Sequence, residues 1–455
     1  MIGAMMLDTL AKELKTELIG SNAGFDAVST DTRRLRAGEL FVALSGENFD
    51  GNEFVPEAQR RGAAGAVVSR VSGEALPQLL VADTGLALAR IARMNRERSS
   101  ARVLAVTGSQ GKTTVKEMLR AILSLEGECL ATRANLNNTV GVPLTLLQLE
   151  ARHRFAVIEM GANRDGEIAF STAAAQPDIA LITNAAMAHT EGFGGLQGVV
   201  RAKGEIIEGL RPDGTLLLNA ADPNVDQWRR RGAAFRLRQF SLHEVPGESD
   251  YHAADIALNE SGQPAFTLAG PHGRLDVQLQ LLGEHNIANA VAAAAAAFEA
   301  GAGPDAVRRG LESAEPVPGR LCPLAGHGGL RIIDDSYNAG PGSFRAAIDL
   351  LAELPGPHML VAGDMLELGD CAESMHREVG RYAASRGIGR LWAAGDLCRQ
   401  MIRGFGANGR HFPGRQELIG ALPGSLEPDC VVLVKGSRGS RMDEVVAALR
   451  NGGTG

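Results

Sequence analysis

The segment VLAVTGSQGKTTVKEML (residues 103–119) decides how the rest of the chain is read. Its first half is a continuous apolar run that suits a strand buried on both faces. Its second half has helical spacing. Between them lie Gly108, Ser109, Gln110, Gly111, Lys112, Thr113 and Thr114. Glycines let the backbone curl so that successive N–H groups face one anion, and the helix N-terminus adds its partial positive charge. Lys112 supplies a full charge for the β- and γ-phosphates, and the Thr113 hydroxyl is placed to ligate a magnesium ion. Val106 stands where the usual GxxxxGK[ST] pattern has its first glycine. Taken alone, the loop implies only a nucleoside triphosphate site.

Working outward, RFAVIEMG (154–161) and DIALITNAA (178–186) are further buried strands that end in polar or glycine residues. Helical segments alternate with them, which predicts a mostly parallel sheet. Glu159 closes the first of these strands, and His189 follows the second by a few residues. Both belong at the ligand edge of such a sheet, where a carboxylate can ligate magnesium. By itself His189 is equally readable as a loop histidine without a role. Lys203, in VRAKGEI, reads as a solvated surface lysine, with Glu205 and Glu208 close by.

The chain has 455 residues, of which 45% are hydrophobic and 22% charged, so about three globular domains are expected. A net charge of −7 and only 4% aromatics argue against nucleic-acid binding. Five widely spaced cysteines with no CxxC pair suit a reducing cytoplasm. No signal peptide or lipidation motif is recognisable. The longest apolar run, AVAAAAAAF (290–298), is too short to span a bilayer. A soluble monomer acting on small molecules is expected.

Residues 1–83 read as a small α/β unit, with strands at GELFVAL (38–44) and AGAVVSR (64–70). Residues 84–315 hold the phosphate loop, with a small antiparallel addition at 241–282. The two prolines of EPVPGR mark a linker, and residues 316–455 alternate strand and helix as in a Rossmann-like doubly wound domain. The expected class is therefore α/β in three domains, with a hinge near Pro316–Arg320 that closes the third over the nucleotide.

These segments resemble the Mur ligases, ATP-dependent amide-bond-forming enzymes of peptidoglycan synthesis. TGSQGKTT is similar to that family's shorter GxxGK[ST] loop, which accounts for Val106. LNNTVGVP, VIEMGA, AHTEGFG, AKGEI, GEHNIANA, PGR and DDSYNA follow in the family's order. STDTRRLRAGELFVALSGENFDGNEFV (29–55) and VAGDMLELGD (361–370) resemble the branch that adds D-alanyl-D-alanine to a UDP-N-acetylmuramoyl-tripeptide. The resemblance implies residues 1–83 for the UDP substrate, 84–315 for ATP, and a third domain that completes the ligase.

It further implies that Gly108, Ser109, Gln110, Gly111, Lys112, Thr113 and Thr114 hold the triphosphate, and that Thr113 and Glu159 bind one magnesium ion. His189 and Lys203 would serve a second ion, Lys203 as a carbamate formed with carbon dioxide; this reverses the surface reading of that lysine. Asn137 would lie near the acyl group and Asn138 near the phosphates. Asn286 and Asn289 match adenine contacts, Arg320 a γ-phosphate contact and Asp335 a ribose contact. Ser29, Asp31, Arg33, Asn48, Phe49, Asp50 and Gly51 would bind the UDP substrate. Where the family usually reads YNANP, this chain has Tyr337-Asn338-Ala339-Gly340-Pro341, so a side chain is missing at Gly340.

Three rival readings differ in specific features. A folylpolyglutamate synthase lacks the N-terminal unit. The ligase that adds the third residue of the peptide carries a DNPR-type motif, absent here. A nucleotide-binding switch needs no dipeptide.

Overall fold

A computed structural model describes residues 1–46, 49–186, 190–427 and 429–452. His189 and Asn48 lie outside the described residues.

The central sheet has six strands, all parallel, in the order Cys129–Ala131, Phe155–Glu159, Arg102–Thr107, Ile179–Ile182, Thr215–Asn219, Arg236–Phe240. Its inner strands are buried along almost their whole length, as their continuous apolar runs require. The chain leaves Arg102–Thr107 toward one edge, returns to Phe155–Glu159, and then crosses to Ile179–Ile182 on the other side. The strand carrying the phosphate loop is thus at the point where strand order reverses, the place where open α/β sheets bind ligands.

The helix Lys112–Leu123 packs beside His285–Glu299. Ala290 and Ala292–Ala297 of the latter are all buried. These small side chains let the two helices approach closely. That packing brings the first turn of His285–Glu299 against the phosphate loop. The run that sequence reading tested as a membrane span is therefore a buried contact. No helix among the described residues is long and apolar enough to cross a membrane.

The N-terminal sheet orders Leu18–Ile19, Gln78–Leu80, Gly65–Val68, Leu40–Val42 and Val28–Ser29. Its apolar face does not close on itself. Leu7, Leu10, Val42 and Val67 belong to one continuous core with Leu88, Ile91, Val103 and Ile158 of the central region. The helix Thr84–Glu97 supplies the shared layer. The antiparallel addition is the three-stranded sheet His252–Leu258, Pro264–Gly270 and Gly273–Gln278.

The C-terminal sheet runs Cys322–Ala325, Arg331–Asp335, Val431–Lys435, His358–Gly363, Arg390–Ala394, Gly409–Phe412. Its four central strands are the segments LRIIDDS, HMLVAGDM, RLWAAGD and CVVLVKGS, which sequence reading takes as strands. That reading omits the antiparallel edge strand Cys322–Ala325 and the last strand Gly409–Phe412. Both are four-residue edge segments containing proline or glycine, so neither shows the apolar run or alternation that marks a strand.

Candidate active site

The phosphate loop is held by the end of the neighbouring strand. Ser109 N–H donates to the Asn184 carbonyl (3.0 Å), Gln110 N–H to Asn184 Oδ1 (3.0 Å), and the Thr183 hydroxyl to the Gln110 carbonyl (2.6 Å). The anchorage admits only glycine at two positions. A Cβ on Gly108 would lie 1.9 Å from Thr183 Oγ1, and one on Gly111, whose φ is +81°, would lie 2.3 Å from Asn289 Oδ1. Sequence reading has the whole loop presenting its amides to one anion. The structure narrows this, because the amides of Ser109 and Gln110 are engaged with Asn184. The first bond within the helix runs from Val115 N–H to the Gly111 carbonyl. The amides of Lys112, Thr113 and Thr114 precede it and form the cradle.

Glu159 is 2% exposed at the end of its strand. Its Oε1 accepts from Thr113 Oγ1 (3.2 Å) and Asn137 Nδ2 (2.8 Å), and its Oε2 is buried with no hydrogen-bond partner among the described residues. An orphaned buried carboxylate oxygen costs about 1–3 kcal/mol or more. Beside a threonine hydroxyl and a phosphate cradle, that atom suits a hard divalent cation. The donor set therefore fits magnesium.

Lys203 is not a surface lysine. It lies in the last turn of the helix Leu196–Gly204, is 4% exposed, and has its Nζ 5.7 Å from the centre of the Phe193 ring. Burial pulls its pKa down to about 7, the charge of Lys112 adds to this, and Glu205 and Glu167 oppose it. The two glutamates that suggested a solvated face have other uses. Glu205 accepts the Gly166 and Ala169 amides (2.7 and 3.1 Å) at the start of the earlier helix Glu167–Ala175, and Glu208 pairs with Arg231. Lys112 donates to the Gly108 carbonyl at 2.5 Å. Burial lowers its pKa to about 8; Glu159 opposes the shift and Arg320 adds to it.

The C-terminal lobe completes two adjoining clefts. One, of about 310 Å³, is walled by Lys112, Asn137, Glu159, Lys203, Arg320 and Tyr337 among others. The second, of about 160 Å³, includes Gln110, Gly111, Asn286, Asn289, Asp335 and Lys435. Asn289 Nδ2 donates to Asn286 Oδ1 (2.9 Å), and Asn286 Nδ2 to the Leu282 carbonyl (2.8 Å). Asn286 is thus partly a structural residue. So is Asn138, whose Oδ1 accepts from Gly141 N–H at 2.8 Å.

Asp335 is paired with a residue that sequence reading left without a role. Lys435 Nζ lies 2.5 Å from Asp335 Oδ2, and both are nearly buried. They are register partners on adjacent parallel strands. Burial pushes the Asp335 carboxyl up, against the pull of Lys435. His285, in the same cleft, is held down to about 4 by burial and Lys435, so its imidazole is neutral. The available signal was the lysine ending the strand CVVLVK (430–435), in the position Glu159 occupies on its own strand.

The N-terminal set forms local turns. Asp31 accepts from Arg33 N–H (3.0 Å) and pairs with its guanidinium (2.8 Å), which lowers its pKa to about 2. Ser29 Oγ donates to the Asp31 carbonyl, and Asp50 accepts from Asn52 N–H. A Cβ on Gly51 would meet the Leu44 carbonyl at 2.2 Å. Phe49 is 57% exposed. None of Ser29, Asp31, Arg33, Phe49, Asp50 and Gly51 lines either cleft.

Three family patterns match the chain: the Mur ligase middle domain over residues 106–297, the Mur ligase glutamate ligase domain over 319–438, and the Mur ligase catalytic domain over 25–118. The UDP-N-acetylmuramoyl-tripeptide–D-alanyl-D-alanine ligase of Escherichia coli (strain K12) is 45% identical over 453 residues, covering 99% of both chains.

The chain belongs to the Mur ligase family.

Among solved structures, this Mur ligase is similar to MurF from Acinetobacter baumannii, with a TM-score of 0.93 at 34% identity over 99% of each chain. It is also similar to the MurF ligase of Thermotoga maritima in complex with ADP. That match has a TM-score of 0.84 at 26% identity, over 94% of this chain and 97% of that one. The three-domain α/β architecture is that of these Mur ligases.

Proposed function

We propose that this chain is an ATP-dependent ligase that joins D-alanyl-D-alanine to UDP-N-acetylmuramoyl-tripeptide, giving the pentapeptide, ADP and phosphate for peptidoglycan synthesis. The observation that carries this reading is the cleft shared by Lys112, Glu159 and Lys203 of the central region and Arg320 of the C-terminal lobe. The activity named for the Escherichia coli relative at 45% identity supports the choice of substrates. ATP as the nucleotide is supported by the loop and by the ADP bound to the Thermotoga maritima relative.

A carboxylate resists an amine because it is anionic and has no good leaving group. Its oxygen attacks the γ-phosphorus, the bond to the β-phosphate oxygen breaks, and ADP leaves an acyl phosphate. The dipeptide amine then attacks the acyl carbon, sheds a proton, and phosphate departs as the C–N bond forms. The first step brings two anions together, so positioning and charge neutralisation should supply most of the acceleration. Lys112 and Arg320 provide fixed positive charge. Asn137 holds Glu159, and the C-terminal lobe covers the cleft against water. Thr113 and Glu159 would hold one magnesium ion; carbamylated Lys203 would hold a second, with His189 outside the described residues. Bound magnesium would neutralise charge on the transferred phosphoryl group. In this reading residues 1–83 bind the UDP substrate at the carboxyl edge of their sheet, residues 84–315 bind ATP, residues 316–455 complete the ligase, and the protein works as a cytoplasmic monomer.

Phosphate release measured with each substrate omitted in turn tests the proposal. Release is expected only with ATP, UDP-tripeptide and D-alanyl-D-alanine together. Release that ignores the dipeptide would favour a nucleotide switch.

The Lys203 carbamate has its own test. Only the neutral amine carries the lone pair that attacks carbon dioxide; the N–C bond forms and one proton leaves. With a pKa of about 7, the neutral fraction rises as pH rises through that value. At fixed carbon dioxide pressure, enzyme stripped of carbon dioxide should therefore reactivate more fully at pH 8 than at pH 6. A ¹³C-carbamate NMR signal should appear in parallel and be missing from Lys203→Ala. Full activity in stripped enzyme would refute the modification.

A further inference from the structure

One buried cation of the central region takes no part in the proposed chemistry. Lys116 lies one turn beyond Lys112 on the helix Lys112–Leu123 and is 1% exposed. Its Nζ donates to the Thr132 carbonyl (2.8 Å) and pairs with Glu117 Oε1 (2.8 Å). Burying an ammonium is costly, and an apolar side chain would fill the same space at lower cost. What an apolar residue cannot supply is the bond to Thr132.

Thr132 follows the edge strand Cys129–Ala131 and is itself 1% exposed. Its N–H donates to the Val157 carbonyl (3.0 Å), which continues the parallel ladder with Phe155–Glu159. The next bond of a regular parallel ladder would run from Glu159 N–H to the Thr132 carbonyl. Here Glu159 N–H donates to Thr132 Oγ1 (3.0 Å), and Lys116 occupies the carbonyl. Sheet pairing therefore stops at the residue that carries the cleft carboxylate. The chain leaves the sheet through Ala134, whose φ of +48° a side chain resists, and returns at Asn137. Asn137 Nδ2 donates to Glu159 Oε1 (2.8 Å), and the Asn137 carbonyl accepts from Gly161 N–H (2.8 Å). Thr132 thus holds the main chain of Glu159, and Asn137 holds its carboxylate.

We propose that Lys116 is a positioning residue for the Glu159 carboxylate. By taking the Thr132 carbonyl it keeps the ladder from closing one bond further. That fixes the departure of segment 132–137, which brings Asn137 to Glu159 Oε1 and leaves Oε2 for a divalent cation. Without the ammonium, the Thr132 carbonyl is released to pair with Glu159 N–H, and the support of the carboxylate is lost. This rests on the reading of Glu159 as a magnesium ligand.

Lys116→Met keeps the length of the side chain and removes the donor. Thr132→Val removes the hydroxyl and leaves Lys116 in place. Two quantities test each variant: the magnesium concentration for half-maximal turnover, and the affinity of the ADP-loaded enzyme for Mn2+, read by electron paramagnetic resonance of the free ion. Both should weaken by about tenfold to a hundredfold, with KM for ATP and for the dipeptide unchanged at saturating magnesium. Thr132→Ser should restore both. The double variant should be no worse than the poorer single one, because the two residues act through one chain of bonds. A lysine that only supports the fold predicts a lower thermal midpoint with wild-type Mn2+ affinity, and that result in Lys116→Met overturns the proposal. Should Lys116→Met fail to fold, wild-type Mn2+ affinity in Thr132→Val overturns it equally. Wild-type Mn2+ affinity in Glu159→Gln overturns the magnesium reading itself.

Discussion

Lys112→Ala is expected to lower kcat by about a hundredfold to a thousandfold, the range seen when one preorganised donor is removed from a transition state. The lysine meets the Gly108 carbonyl from inside its own loop and shares the cleft with Arg320 and Glu159. The residues that fasten the loop, Thr183 and Asn184, are untouched by the change, so the fold should survive. The pH profile carries a second expectation. Burial holds Lys112 down to about 8, so its charge is present below that pH and is lost above it. Affinity for a non-hydrolysable ATP analogue should fall as pH rises through the region above 8, and Lys112→Arg should flatten that fall. The anionic ligand stabilises the charged form and moves the midpoint upward. Retention of more than about a tenth of the activity in Lys112→Ala would remove the lysine from the proposed role.

Glu159→Gln should separate catalysis from stability. Turnover is expected to drop by about a hundredfold or more, because an amide supplies no negative charge to a divalent cation. The thermal midpoint should stay level or rise. Glu159 Oε2 is buried without a partner among the described residues, and a neutral amide is less costly to bury than a carboxylate. Lost activity with retained or improved stability is the signature of a residue kept for chemistry at the expense of the fold. Calorimetry and magnesium-dependent rates on the same preparation would check it. A variant that melts well below the wild type while keeping its magnesium dependence would mark Glu159 as structural.

The phosphate loop, the parallel central sheet and the position of Glu159 were legible because each is local. A glycine-rich turn, an apolar run and a polar residue at its end lie within a few residues of one another. The Ala-rich helix was legible as a helix, but its role as a close-packed neighbour of Lys112–Leu123 was not. Lys203 shows the limit of local reading most directly. Its flanking glutamates suggested a solvated face, yet Glu205 turns to the amides of another helix and Glu208 to Arg231. Those partners are distant in sequence, and no spacing rule points to them. The pair of Asp335 and Lys435 escaped for the same reason: the two residues are 100 positions apart and meet through strand register.

By itself, the sequence determined the buried strands and the helices between them, though not the short edge strands Cys322–Ala325 and Gly409–Phe412, the triphosphate-binding loop, and, through ordered motifs, the resemblance to an amide-ligase family. These follow from apolar periodicity and from the conformational freedom of glycine, both properties of short segments. Only the tertiary structure decided which loop amides face the cleft, that Lys203 is buried with its pKa pulled down to about 7, and that Arg320 of the C-terminal lobe shares a cleft with Lys112 and Glu159. Each depends on desolvation and on charges brought together from separate lobes, and those terms exist only once the chain has folded.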